Sequence, residues 1–353
     1  MHILQVNTEK GWRGGERQTL LSMEGLRDAG VTVTLLCLSD SPLYERAVKA
    51  GFPVVGVSGQ FGALQHMIFR GNRYSVIHAQ SSRAFGFASL ATLFIRTPVV
   101  YTRRVDFIPR GILTKWKYHR AAALVAISNA IGTILSDAGM GEARVISSIV
   151  PDYTPDTTRA ERLREELHCS QRTVVGVVAA LVGHKDPLTM VQAAKEVAAS
   201  TPDVLFLHFG DGALRSDVET AIQRLSLTGY YRLMGHQSGV EDYFQLFDCF
   251  AMSSKEEGLG SSVLDAFKYG IPVASTTAGG LAELVAGRGL LSPPGDAPAL
   301  ADNIRRLLTD ASAARQMAEK AKTYVAAHHS RKVLTTRYIS LYREITASEP
   351  AKG

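Results

Sequence analysis

The sequence predicts an α/β protein built from two doubly wound, Rossmann-like domains facing each other across a cleft. Three observations carry this. A chain of 353 residues is too long for one ordinary core and comfortable for two. Short β-branched runs alternate with helix-like segments, the signature of a parallel sheet covered by helices. That pattern runs to completion, breaks at a Pro-, Thr- and Asp-rich stretch from Pro151, and then starts again.

In the first half the strands read HILQV, VTVTLLCL, PVVGV, SVIHA (75–79), PVVYT (98–102) and ALVAI (123–127), ending near RVISSIV. Helix-like segments fall at 16–29, 42–50, 83–95 and 129–138. The second half offers TVVGVVAAL (173–181), DVLFLHF (203–209), YYRLM (230–234), DCFAMS (248–253), PVAST (272–276) and GLLS (289–292). Residues 298–345 read as helical throughout, and the last helix, 331–345, is expected to cross back onto the first domain. The predicted organisation is a first domain over 1–150, a linker over 151–170, a second domain over 171–330 and the returning helix over 331–346.

Composition is that of a globular α/β protein, 46% hydrophobic and 20% charged. Cys37, Cys169 and Cys249 are far apart and form no CxxC pair, which argues against a disulfide framework or a zinc cluster. The opening MHILQVNT runs straight into an apolar strand without a basic leader, and the longest apolar run, 84–95, is short of the roughly 18 residues of a spanning helix. A cytoplasmic protein is therefore expected, with a peripheral place on the inner face of the cytoplasmic membrane left open. Residues 1–150 hold 17 Lys+Arg against 9 Asp+Glu, while the remainder holds 22 against 24. A first half at +8 and a second at −2 point to an anionic partner for the first half, or to a solvated charged face.

The strongest chemical signal is residues 253–285, SSKEEGLGSSVLDAFKYGIPVASTTAGGLAELV. A strand end is followed by a Gly-rich turn and a helix, so Gly258, Leu259, Gly260, Ser261 and Ser262 can offer backbone N–H groups to phosphate oxygens. Glu257 lies beside the turn and Asp265 eight residues on, about two helical turns away, so both carboxylates can reach one ligand.

Here the sequence resembles the retaining glycosyltransferases of family 4, whose architecture is the GT-B fold. Their frame of a Glu, seven residues and a second acid, then G-x-P-V and G-G-x-x-E, is met by Glu257, Gly258, Gly260, Asp265, Gly270, Pro272, Gly279, Gly280 and Glu283. The resemblance implies that Glu257 contacts the donor sugar and that Asp265, in place of the family's second Glu, reaches the ribose hydroxyls. Asp is shorter by about 1.5 Å. Residues 178–193, VAALVGHKDPLTMVQA, match the family's diphosphate-binding loop and put Lys185 on the donor phosphates. Ala180 stands where the family carries an Arg, and His184, Arg13 or Arg103 are candidates to replace that charge. The FGDG turn, with Gly210, fits the same frame, although Gly-Asp-Gly by itself is only a turn signal.

In the first half GWRGGE (11–16) lies between a strand and a helix, where glycines allow close approach of a ligand, but it fails the dinucleotide fingerprint. By resemblance Arg13, Gly14 and Gly15 lie on the acceptor side, with His78 at a strand end, or as a satisfied half-buried histidine. Arg103 and Arg104 stand where the family often shows a further His. Residues 96–120 hold seven Lys or Arg, one acid, Asp106, and interleaved bulky apolar residues including Phe107, Ile112, Leu113 and Trp116. This pattern suits an anionic lipid surface or lipid-linked glycan, a phosphorylated acceptor, or a solvated face; no nucleic-acid signature accompanies it, and nucleic acid is not expected as a partner. No Asp-x-Asp pair occurs, so no metal and no cofactor are expected; the nucleotide sugar, read as UDP-linked, is a co-substrate.

The resemblance implies transfer of a sugar with retention from a nucleotide diphosphate donor to a glycan or lipid-linked acceptor, in synthesis of lipopolysaccharide or another surface polysaccharide. Lys185 and Glu257 are its catalytic pair. Two rivals stay open: a nucleotide-sugar epimerase of the same fold, and a silent subunit that docks a partner enzyme at a membrane.

Overall fold

The computed structural model describes residues 1–347. The described residues form two compact units, Met1–Pro151 joined by residues 329–347, and Asp152–His328.

The first unit alternates strand and helix in chain order: β1 (His2–Asn7), α1 (Gly14–Asp28), β2 (Thr32–Leu38), α2 (Pro42–Lys49), β3 (Val54–Val57), α3 (Gln60–Arg70), β4 (Val76–Ala79), α4 (Ser82–Ala91), β5 (Val99–Arg103), α5 (Ile112–His119), β6 (Ala123–Ala126), α6 (Asn129–Asp137) and β7 (Ala143–Val145). The strands are parallel in the order β3-β2-β1-β4-β5-β6-β7, so the direction of winding reverses between β1 and β4. Ser41, Ser81 and Ser128 cap α2, α4 and α6 by accepting the N–H three residues on. Helices α3 and α5 add to the elements read from sequence. Both start at a glycine without a side-chain cap, and large apolar residues stand outward among their polar ones, which hides the usual amphipathic pattern.

The second unit runs α7 (Thr157–Glu166), β8 (Thr173–Val178), α8 (Pro187–Ser200), β9 (Val204–Phe209), α9 (Arg215–Arg224), β10 (Tyr231–Gly235), β11 (Cys249–Met252), α10 (Ser261–Lys268), β12 (Val273–Thr276), α11 (Gly280–Val285), β13 (Leu290–Ser292), α12 (Ala297–Thr309) and α13 (Ala311–His328). Its parallel order is β10-β9-β8-β11-β12-β13, with the reversal between β8 and β11. Helices α8, α9 and α12 pack on one side of this sheet. On the other side a run of ring contacts links Phe209, Tyr243, Phe244, Phe247 and Phe250. Gly176 admits the Phe247 ring to the sheet, since a Cβ there would lie 2.2 Å from it.

Three sequence expectations change. The stretch 173–181 leaves the sheet after Val178, because the backbone of Ala179 and Leu181 turns to bond the loop after β9 (Ala179 N–H to Phe209 O, 3.0 Å; Leu181 N–H to Asp211 O, 3.1 Å). The stretch 298–345 is three helices. Asp310 ends α12 and its carboxylate accepts the Ala313 N–H of α13 at 3.0 Å, and His329 and Ser330 separate α13 from α14 (Arg331–Ala347) by bonding the segment before Pro151. The stretch expected as linker is tied down: Asp242, 1% exposed, accepts from the Tyr153 hydroxyl (2.5 Å), the Asp156 N–H (2.8 Å) and Arg159 (2.7 Å).

Helix α14 belongs to the core of the first unit. Leu334, Tyr338, Leu341 and Tyr342 are buried with β-strand residues such as Ile3, Val76 and Val100 and with Leu26 of α1. Helices α3 and α4 close the opposite side of the sheet, through Ala63, Met67, Phe85 and Ala88.

Candidate functional site

In an open doubly wound sheet the loops that diverge at the reversal of strand order leave a crevice at the carboxyl ends of the strands. In the second unit these are the loops after β8 and β11, residues 179–186 and 253–260. They contain Lys185 and Glu257, whose side chains form a half-buried ion pair, Nζ donating to Oε2.

Backbone stitching holds the pair in place. The Ser253 hydroxyl donates to the carbonyls of Lys185 (3.0 Å) and Asp186 (2.9 Å), and the His184 carbonyl accepts the N–H groups of Lys255 (2.8 Å) and Glu256 (3.2 Å). Asp186 is the residue before α8 and adopts φ +46, with its carboxylate taking the Thr189 hydroxyl (2.6 Å) and the Lys255 ammonium (3.0 Å). Ser253, Asp186 and Lys255 are functional neighbours that the motif frame missed. The Asp-Pro step at 186–187 was the available signal for Asp186, since it marks a helix start.

Two further loops join this floor. Gly210, φ +150, and Gly212 lie against the turn after β8, where a Cβ at Gly210 would meet the Ala179 carbonyl oxygen at 1.9 Å and one at Gly212 the Leu181 carbonyl oxygen at 2.4 Å. The sequence reading put Gly210 at the donor; the structure shows it supporting the 179–186 loop. From the other side the Thr276 hydroxyl donates to Ser254 O (2.6 Å), and the Gly280 N–H donates to Glu257 O (2.9 Å). A Cβ at Gly280 would lie 2.3 Å from Gly258 O, so the Gly279-Gly280 pair is needed for the 257–260 turn to close.

Gly260, φ +94, opens α10 without a side-chain cap, which leaves the N–H groups of Ser261 and Ser262 directed at the same turn, where an anion is favoured. Ser261 is exposed and Ser262 half-buried, while Leu259 is buried beneath the turn as an apolar anchor. Asp265 is buried one turn into α10, and Glu283 is half-buried in the first turn of α11. Of the donor-side residues named from sequence, the structure thus gathers Lys185, Glu257, Gly258, Gly260, Ser261 and Ser262 at one crevice. Ala180 is exposed in the same loop and brings no charge.

In the first unit the corresponding reversal lies between β1 and β4, and its loops are residues 8–13 and 80–81. Arg13 is the residue before α1; its N–H and the Asn7 amide converge on the buried Glu16 carboxylate (2.9 and 3.3 Å). Gly14 is exposed and Gly15 half-buried, and a Cβ on Gly15 would be 3.8 Å from Arg104 Cδ. Arg104 donates to Gln80 Oε1 at 2.7 Å and its Nε is buried without a hydrogen-bond partner. Burial lowers its pKa, against the pull of Tyr338 and Glu16. Arg13, Gly14, Gly15 and Arg104 therefore share one polar end of this sheet.

Two acceptor-side expectations are corrected. His78 is fully buried, with Nδ1 bonded to the Tyr342 hydroxyl of α14 (2.6 Å) and Nε2 to the Thr102 hydroxyl (2.7 Å), so it lines no open surface. Burial, with a smaller push from Arg104, lowers its pKa to about 3. Arg103 is 1% exposed and is engaged by the Tyr118 hydroxyl and the Phe107 carbonyl, with its guanidinium 4.9 Å from the Phe107 ring. It fastens residues 103–118 and is not available to replace the charge missing at Ala180. His184, the candidate that lies in the second unit, is exposed and uses its carbonyl to hold the 255–256 turn.

Among the described residues no group of three His, Cys, Asp or Glu is placed to hold a metal ion. Cys37 and Cys249 are buried free thiols whose pKa values burial pushes up to about 12, which makes them poor nucleophiles.

Comparison with known proteins follows the same division into units. The family model "Glycosyl transferases group 1" matches residues 159–324, and "Glycosyltransferase Family 4" matches residues 12–151. The chain is 32% identical over 222 residues to the 2-deoxystreptamine glucosyltransferase of Streptomyces kanamyceticus, across 58% of this chain and 57% of that one. It is 30% identical over 148 residues to the lipopolysaccharide core biosynthesis glycosyltransferase LpsE of Rhizobium meliloti, across 41% and 44%. The chain thus spans about half the length of the curated relatives it matches. Among solved structures, Anabaena HepE in complex with UDP is similar with a TM-score of 0.86 at 20% identity, covering 98% of this chain and 100% of that one. The lipopolysaccharide outer core galactosyltransferase WaaB is similar with a TM-score of 0.73 at 14% identity, covering 98% and 100%. Two doubly wound units, each matched in order by a domain of the same enzyme group, have the GT-B fold, and the chain belongs to the group 1 glycosyltransferases.

Proposed function

We propose that the protein transfers a sugar, with retention of configuration, from a nucleoside diphosphate donor to a hydroxyl of a glycan or lipid-linked acceptor in surface polysaccharide synthesis. The observation that carries this reading is the Lys185–Glu257 pair at the reversal of the second sheet, beside the uncapped start of α10. A diphosphate has the charge to take Lys185 from its carboxylate partner and to accept from the Ser261 and Ser262 N–H groups. Glu257, released from the ammonium, accepts hydrogen bonds from sugar hydroxyls.

In the proposed reaction the bond from the anomeric carbon to the phosphate oxygen breaks, the acceptor oxygen bonds the same carbon on the same face, and the acceptor proton passes to the departing phosphate. No dedicated protein base is required. Lys185 and the α10 start stabilise the charge that grows on the phosphate, the kind of preorganised electrostatic term that contributes most to catalysis. In the first unit, Arg13, Gly14, Gly15 and Arg104 are proposed to receive the acceptor. An acceptor carried on lipid would bring the chain to the cytoplasmic face of a membrane. Among the described residues no helix is long and apolar enough to cross one.

The test is nucleotide release from a panel of UDP-, GDP- and ADP-sugars. UDP-glucose comes first because HepE, of the same fold, has been solved with UDP and UDP-glucose. Release from one donor is expected, falling about 100-fold or more in Lys185→Ala and strongly in Glu257→Gln. Silence with every donor, and no thermal shift from any nucleotide, would refute the transfer reading in favour of a docking subunit.

A further inference from the structure

Soluble helices normally turn their charged residues outward. In the first unit α1, α2 and α14 do so: their exposed positions include Arg27, Asp28, Glu45, Lys49, Arg343 and Glu344, of both signs. Helices α3, α4 and α5 and the turns after them also hold large apolar residues outward, beside basic ones. Phe61 (81% exposed) and Phe69 (74%) stand eight residues apart on the outward stripe of α3, Phe94 (67%) follows α4, and Ile112 (84%), Leu113 (80%) and Trp116 stand outward on α5. Single exposed apolar residues need no explanation, but a continuous set on adjacent helices does.

The three helices are adjacent. Helix α3 packs on α4, where Phe61 meets Phe87 edge-on with centroids 6.1 Å apart. Helix α5 packs on α4, with Arg120 bonding the Thr92 hydroxyl (2.8 Å) and carbonyl (2.9 Å). Within the second unit, by contrast, the large apolar residues exposed above one third are Tyr153 and Leu188, on different elements.

Charge along this stretch is nearly all basic: from residue 60 to residue 120 the single acid is the half-buried Asp106, against ten Lys and Arg, of which Arg103 is buried. Arg70, Arg73, Arg96, Arg110, Lys115 and Arg120 are all exposed around the apolar stripe. We propose that the outer surface of α3, α4 and α5 docks on an anionic lipid bilayer, with the apolar side chains entering the headgroup boundary and the basic ring on the phosphates. A nucleic acid would use the basic residues but has no use for Ile112 and Leu113, and an ordinary protein partner would not call for charge of one sign around the whole patch. The surface thus supplies what a lipid-borne acceptor would require, but it stands on its own observations.

The test is co-sedimentation of the full chain with phosphatidylcholine vesicles with and without phosphatidylglycerol. Binding to the anionic vesicles alone is expected, weakening with salt and by about five-fold for each of Arg110→Gln and Lys115→Gln. The double variant Ile112→Ser/Leu113→Ser, and separately Phe69→Ser/Phe94→Ser, should lose about ten-fold with unchanged melting temperature and unchanged nucleotide release in solution. No binding to anionic vesicles at low salt, or apolar variants that bind as well as the parent, would overturn the proposal; so would a duplex RNA probe binding more tightly than the vesicles. Vesicle binding needs no nucleotide sugar, so its failure and that of the transfer reading are separately visible.

Discussion

Acidification to pH 5 should weaken the first unit through one buried imidazole. His78 is neutral when folded, its pKa lowered to about 3 by burial and by Arg104, while in the unfolded chain it has the ordinary value of 6.5. The unfolded state therefore binds the proton first, so stability is complete above pH 6.5 and falls as pH drops from there toward 3. At pH 5.0 the gap of 1.5 pH units is worth about 2 kcal/mol, a large part of a domain's stability. Both tryptophans, Trp12 and Trp116, lie in this unit, so urea unfolding followed by tryptophan fluorescence reads it apart from the second unit, where His208 is lowered in the same way. Carboxylates add their own slope, so the decisive quantity is the difference between parent and His78→Gln. The variant removes the titrating group while an amide can still bond the Tyr342 and Thr102 hydroxyls. The parent should lose about 2 kcal/mol more than the variant between pH 7.5 and 5.0. Equal losses, or an imidazole that titrates near 6.5 by NMR in the folded protein, would refute the reasoning.

The remaining predictions concern the second unit. Gly210→Ala places a Cβ 1.9 Å from a backbone oxygen at positive φ, so it should cost about 3 kcal/mol or more in thermal unfolding and abolish nucleotide binding with it; an unchanged melting temperature would contradict the packing described. Ser253→Ala removes the one hydroxyl proton shared between the Lys185 and Asp186 carbonyls, worth about 1 kcal/mol, and should raise KM for the donor while Ser253→Thr restores it.

The fold was legible because the alternation of strand and helix is local: each β-branched run and each cap can be read within a dozen residues. The 257–260 turn was legible for the same reason, since its own glycines, Gly258 and Gly260, stand directly before the helix they open. What sequence missed depends on side-chain contacts that the strand and helix pattern does not announce, near or far along the chain. Nothing near His78 announces that Tyr342, 264 residues later, bonds its ring, and the strand-end position alone made it look like a site residue. Arg103 looked like a free cation because its partners, Tyr118 and Phe107, lie in a segment whose outward apolar residues concealed a helix. Ser253 belonged to the motif as a bystander; only the fold shows its hydroxyl on the loop of the opposite strand.

The return of α14 also orders the assembly of the chain. The core that holds Ile3, Val76 and Val100 is incomplete without Leu334, Tyr338, Leu341 and Tyr342, whereas every residue of the second unit's core lies within 152–328. The segments that leave and re-enter the first unit are bonded to each other, Val150 N–H to His329 O at 2.9 Å and His329 Nδ1 to Ser148 O at 3.1 Å, so the helix is delivered next to the end of its own sheet. With Tyr342 absent, His78 would lose its 2.6 Å partner on Nδ1 and gain access to water. The neutral histidine thus reports whether α14 is docked, which makes its pH behaviour a measurement of the completeness of the first unit.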